Sequence, residues 1–109
     1  MAFIEASTDG ELNGAAEVEF VSAPSISERK VIRGVTVFNP DSSTVRFTLA
    51  VKNAGQLRIL QIMDLPQNNS FHWLNDPIIL DGTTKSLVGF LDISPSNMPT
   101  YYCSLAVIS

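Results

Sequence analysis

The chain has 109 residues, 45% of them hydrophobic and only 17% charged, with a formal net charge of −4. That length is one domain able to bury roughly 65% of its unfolded surface without a metal or disulfide staple, and the lone Cys103 excludes an internal disulfide or an all-cysteine metal site. The acidic balance argues against nucleic acid, whose phosphates want a basic face, and no apolar run approaches the ~20 residues of a transmembrane helix.

The opening segment, "MAFIEASTDGELNG", lacks the basic and apolar regions of a secretion signal, so the expectation is synthesis as a soluble protein in the cytoplasm and no membrane partner. Residues 1–14 mix small, polar and turn-forming residues. Two readings stand side by side: a flexible arm, or a short edge strand through "AFIE". Residues 15–109 read as a single domain, without internal repeat, low-complexity stretch or linker.

Strand-like runs follow at Glu17–Ser22, Lys30–Asn39, Thr44–Asn53, Leu57–Met63, Phe71–Trp73, Ile78–Leu80, Ser86–Ile93 and Tyr101–Ile108. The clearest pair is "VTVFNPDSSTVRFTLAVKN", Val35 to Asn53. From Val45 the side chains alternate, with Val45, Phe47, Leu49 and Val51 on one side and polar residues on the other, which is a strand with one buried face. Pro40 suits the second position of a type I turn and Asn39 the first, so the pair reads as a hairpin. "VIRGVTVF" is apolar on both sides and reads as a central strand, with Gly34 marking a bulge or a close backbone approach. Turn signals recur between all these runs, among them "NAGQ", "PQNNS", "NDP" and "LDGTT". Short strands at this spacing, with no amphipathic helix, predict an all-β fold: an antiparallel β-sandwich of about 7–8 strands. The expected core is Val18, Phe20, Val35, Val37, Phe47, Leu49, Val51, Ile59, Leu80, Val88, Phe90, Cys103, Leu105 and Val107.

The charges are sorted along the chain. Before Arg29 there are only acids, Glu5, Asp9, Glu11, Glu17, Glu19 and Glu28; from Arg29 to Arg58 bases dominate, Arg29, Lys30, Arg33, Arg46, Lys52 and Arg58 against Asp41 alone. An acidic strand beside a basic one within the sheet is one reading, since opposite cross-strand charges add a few tenths of a kcal/mol. The other makes Glu5, Asp9, Glu11, Glu17, Glu19, Arg29, Lys30, Arg33, Arg46, Lys52 and Arg58 an interface, the acidic edge of one subunit meeting the basic edge of the next. The small charged fraction, against ~25% in ordinary domains, also suggests that partners cover part of the surface.

The residues offer little chemistry. His72 and Cys103 are the one conceivable nucleophile pair, but alternation in "YYCSLAVI" sets Cys103 with Leu105 and Val107 as a small buried hydrophobe. Carboxylates are scattered over turns, calcium-loop spacing is missing and there is no phosphate-binding glycine loop. The expectation is no enzyme, no catalytic residue, no metal and no cofactor. Trp73 and Tyr101 could form a stacking platform for sugar rings, which makes a tail- or fibre-associated carbohydrate-binding module the alternative.

Four segments, "STDGELNGAAEVEFVSAP", "ERKVIRGVTVFNPDSSTVRFTLAVKN", "FHWLNDPIILDGTTKSLVGFLD" and "NMPTYYCSLAVIS", resemble short single-domain virion proteins of tailed bacteriophages. The shared features are an acidic, glycine-containing start, a basic strand leading into an N-x-D/S turn, a tryptophan-bearing strand, an "LD" turn and an alternating last strand. "DLPQNNS" departs from the likeness in lacking a glycine turn. The resemblance implies a structural place in the virion head or neck: a connector ring, a collar component or a capsid decoration protein. Its implied partners are copies of itself, as an oligomer on the particle, and other phage head or neck proteins.

Overall fold

Successive strands of this chain mostly lie in different sheets. The computed structural model describes residues 2–73 and 76–109, which hold nine strands and no helix. These are β1 (Phe3–Glu11), β2 (Val18–Val21), β3 (Arg29–Asn39), β4 (Val45–Asn53), β5 (Gln56–Leu65), β6 (Asn69–Trp73), β7 (Ile78–Leu80), β8 (Lys85–Leu91) and β9 (Thr100–Ile108). One sheet runs β1-β9-β3-β6, with β7 also on β3, and the other runs β2-β8-β4-β5. Every pairing is antiparallel. The antiparallel sandwich expected from the strand spacing is thus what forms, with nine strands, and the interleaving of early and late strands in both sheets is that of a jelly roll. The expected "NDP" turn begins at Asn75 and falls partly outside the described residues.

The expected hairpin between β3 and β4 does not form. β3 is flanked by β9 on one side and by β6 and β7 on the other, while β4 lies between β8 and β5 in the opposite sheet. The five residues between them are an arch from sheet to sheet, and they are built for it. Asn39 and Asp41 are buried. Asn39 Nδ2 donates to the carbonyls of Ser43 and Leu65 at 3.0 and 2.8 Å, and its Oδ1 accepts from the Asp41 amide at 3.0 Å. The Asp41 carboxylate accepts from the amides of Ser43 and Asn97, both at 2.9 Å. Side chains therefore satisfy backbone groups that a hairpin ladder would otherwise pair. The same residues suit a hairpin and an arch, so local pattern cannot separate them.

Among the described residues, the one pair of consecutive strands that bond to each other is β4–β5. Its turn is Asn53-Ala54-Gly55-Gln56, the expected "NAGQ" signal, with φ of 52° at Ala54 and 84° at Gly55. Two positive φ values make this a type I′ hairpin, whose twist matches that of its strands. At "PQNNS", where a glycine turn is missing, Asn68 takes a φ of 61°, the left-handed conformation that asparagine tolerates better than most residues.

The core closes around aromatic rings. Tyr101 of one sheet stacks on Phe20 of the other with centroids 4.0 Å apart, Phe20 lies 6.0 Å from Phe47, and Phe47 meets Phe71 edge-on at 5.1 Å. Gly89 faces this group: a Cβ there would collide with the Phe20 ring and lie 2.8 Å from Phe47. This corrects the expected facing of β8. Leu87, Gly89 and Leu91 sit opposite the inward Val51, Leu49 and Phe47, whereas Val88 and Phe90 sit opposite Ala50 and Thr48 on the outer face, where Val88 is buried, as expected, and Phe90 half-buried. "SLVGFL" is apolar on both sides, so alternation alone cannot orient it.

Ile59 is a second correction, 57% exposed rather than in the core. β4 residues Leu49 and Ala50 pair with Gln61 and Ile59, leaving Leu60 as the extra residue of a bulge. The bulge moves Leu60 against the core and sends Ile59 outward. A further bulge falls at Arg33, between Ile32 and Gly34, as the glycine signal in β3 anticipates.

Ala54 carries a side chain in a conformation that costs an L-residue roughly 1–2 kcal/mol. Ala54→Asn, giving the preferred Asn-Gly turn, is expected to raise the unfolding free energy by about 1 kcal/mol. Urea denaturation with an unchanged m-value checks it.

Candidate functional site

The charged residues expected to form edges occupy a regular pattern. Acids lie on β1 and just before or on β2, the two edge strands that touch on one flank of the sandwich. Bases lie mainly on β3 and β4, two strands inward in each sheet, with the strands β9 and β8 between. In one sheet Arg33 Nη1 meets Glu5 Oε1 at 3.3 Å across β9, and the guanidinium also sits 5.2 Å from the Phe3 ring centroid. In the other, Lys52 Nζ meets Glu17 Oε1 at 2.8 Å across β8. Arg33 is the extra residue of the β3 bulge, and with Glu5 and Ser104 of the intervening strand it lines one open depression.

This corrects the idea of a basic edge. Arg29, Lys30, Arg33, Arg46 and Lys52 are on interior strands, and Arg58 on β5 is the one of the set on an edge. Arg46 Nε holds Asp64 Oδ1 at 2.9 Å, and Lys30 Nζ reaches Ser22 at 2.9 Å. Arg29 stands near Asp81, whose carboxyl is held down first by Lys85 and in smaller part by Arg29. Arg58 is hydrogen-bonded to Gln56 Oε1 at 3.2 Å. Asp9 and Glu11 line the outer face of β1 with Glu5, opposite Tyr102 and Thr100, and Glu19 lies on β2 opposite Val88. Charge sorting along the chain therefore works inside the sheets. These pairs are exposed and screened by solvent, so each adds little stability.

The proposed sugar platform is not assembled. Trp73 and Tyr101 pair with Val35 and Val37 and share their inward side. Both pack against the core; Trp73 Nε1 donates to the Asp76 carbonyl at 3.0 Å, and Tyr101 is the ring stacked on Phe20. Of the two adjacent tyrosines it is Tyr102 that faces solvent, 54% exposed, beside an open depression of about 420 Å³ lined by Glu5, Ser7, Arg33 and Ser104. Adjacent tyrosines on a strand face opposite ways, but only the register shows which one is outside.

His72 and Cys103 cannot act together. Cys103 points inward from β9 and is fully buried, while His72 points outward from β6 with Nδ1 3.3 Å from Thr36 Oγ1. Burial pushes the Cys103 thiol up to about 11, opposed in smaller part by Thr8, which stands across from it on β1. Thr8 Oγ1 is itself buried without a hydrogen-bond partner. Among the described residues no three His, Cys, Asp or Glu side chains converge as a metal site.

No protein-family model and no curated protein sequence matches this chain. Its fold is nonetheless found in solved structures. A chain of the acid-stable capsid structure of Helicobacter pylori bacteriophage KHP30 superposes with a TM-score of 0.61 at 12% identity, covering 99% of this chain and 89% of that one. A chain of the cyanophage Pam1 capsid asymmetric unit gives 0.52 at 11% identity, covering 98% and 85%. A chain of the disulfide-linked pili that form Bacillus endospore appendages gives 0.55 at 7% identity, covering 99% and 87%. At these identities the likeness is one of fold, and it defines the chain as a β-sandwich of the kind seen in capsids and appendages.

The environment of Cys103 makes its thiolate scarce and unreachable. A thiol-reactive dye is expected to leave the native protein unlabelled and to react fully after denaturation in guanidinium; rapid labelling of the folded chain would contradict the burial.

Three carboxylates are held below the usual range: Asp41 by the amides of Asn97 and then Ser43, Asp64 by Arg46, and Asp81 by Lys85. Their pKa is lower folded than unfolded, so the stability they bring is present above the unfolded value of about 3.9 and is lost as pH falls through the folded values. The urea midpoint is expected to drop as pH is lowered from about 5 towards 3. Asp41→Asn should flatten part of that drop, and a pH-independent midpoint in the parent chain would count against it.

Proposed function

We propose that this chain is a non-enzymatic structural subunit of a bacteriophage particle, repeated on its head or at the head-tail neck. The observation that carries the reading is the end-to-end likeness in fold to chains of two phage capsid structures, with 85% or more of both chains covered in each case. The surface agrees: Phe3, Ile4, Ile26, Ile59, Ile62 and Ile79 are all more than half exposed, more apolar side chains than an isolated small domain gains from showing to water. The buried, proton-retaining thiol and the separation of His72 from it support a non-catalytic role. Cofactors have no part in this reading, and the partners are copies of the chain and other head or neck proteins. Its place is the virion, after synthesis in the host cytoplasm, as a connector, collar or decoration component. Residues 1–14 belong in this proposal as a segment on the exposed flank, where β1 can touch a neighbour.

Cryo-electron microscopy of the intact particle tests it. Nine-stranded density of this shape is expected at the head surface or neck, in contact with copies of itself or with another head or neck protein. Purified particles whose protein content excludes the chain would overturn the proposal.

A further inference from the structure

A sandwich has four edges, and three of these are guarded against pairing with another chain. β1 carries Glu5, Asp9 and Glu11, which repel a second β1. β2 has four residues and a bulge at Phe20. The outer side of β3 is taken by two short strands, β6 and β7, of five and three residues, with Pro77 just before β7. Short strands, bulges, proline and like charge are the usual means of preventing edge pairing.

β5 is different. It has ten residues, no proline or lysine, and among the described residues β4 alone bonds to it within its sheet. Ile59, Ile62 and Met63 are exposed along it. Its single cation, Arg58, and single anion, Asp64, lie towards opposite ends, so an antiparallel copy sets no like charges against each other along the ladder. Arg58 has Gln56 as its hydrogen-bond partner and no carboxylate within salt-bridge distance among the described residues.

We infer that β5 is a homodimer edge, pairing antiparallel with the β5 of a second copy across a two-fold axis, so that two four-stranded sheets become one of eight. The bulge selects the register. Residues an odd number apart on a regular strand face opposite sides, so such a strand meets its two-fold copy with the axis through a residue. In β5 the register with β4 puts Leu57, Ile59, Ile62 and Asp64 on the outer side and Arg58 and Met63 on the inner, with the change of phase at Leu60. Sides match when the axis runs between Leu60 and Gln61. Ile59 then faces the partner's Ile62, Arg58 the partner's Met63, and Leu57 the partner's Asp64, one residue from Arg58. Four isoleucines form one row on the outer face, adjoining the buried Ala50 and Thr48 of β4. A two-fold contact of this kind is isologous and closes.

The inference rests on the strand edges and stands apart from the virion reading: a dimer in solution and a place on a particle can each hold or fail without the other. Sedimentation equilibrium at about 100 µM, where a micromolar Kd gives mostly dimer, is expected to find a dimer of the parent chain. Ile59→Lys with Ile62→Lys is expected to be monomeric with an unchanged circular dichroism spectrum, both side chains being exposed. The register is read by oxidation: Ile59→Cys mixed with Ile62→Cys should form a disulfide across the pair, and each variant alone should cross-link far less. A monomeric parent chain, a dimer that survives the lysine substitutions, or equal cross-linking in the unmixed variants would each overturn it.

Discussion

The contact between the sheets through Tyr101, Phe20, Phe47 and Phe71 is the constraint on which the rest of the molecule depends. Offset-stacked and edge-on rings contribute roughly 0.5–1.5 kcal/mol per pair beyond their burial, but only if the sheets approach closely enough for the rings to touch. Gly89 makes that approach possible, because its missing side chain is the space the Phe20 and Phe47 rings use. From this follows the phase of β8, with Leu87 and Leu91 inward, and of β9, with Cys103 and Leu105 beneath the rings' neighbours. It also follows that β3 and β4 must lie in different sheets, since their apolar faces close the same core from opposite sides.

At one end of the sandwich the polar corner at Asn39 and Asp41 does for the backbone what the rings do for the side chains. It binds the arch to the end of β5 through Leu65 and to the segment before β9 through Asn97. A buried carboxylate is tolerable there because several N–H groups point at it. The corner therefore couples three connections, and its protonation is felt by all of them.

The surface follows a separate logic. Ion pairs such as Glu5–Arg33 and Glu17–Lys52 lie across the sheets and are individually weak, so their effect is to leave little net charge over broad apolar faces. A jelly roll by itself names no activity, since the same architecture serves many. What distinguishes this one is where its exposed isoleucines lie in relation to guarded and unguarded edges.

Much of the fold was legible in the residues themselves. Alternation in Val45–Val51, turn residues at regular spacing and the paucity of helix signal determine strands and an antiparallel sandwich, because period and turn chemistry are local properties. Gly34 as a bulge and "NAGQ" as a turn belong to the same class. The arch at Asn39–Ser43, the outward facing of Val88, Phe90 and Ile59, and the intrachain partners of Arg33 and Lys52 were decided by tertiary structure. Each depends on which strand lies alongside or opposite, and that is set by long-range packing of the aromatic core, to which a local pattern of side chains is blind.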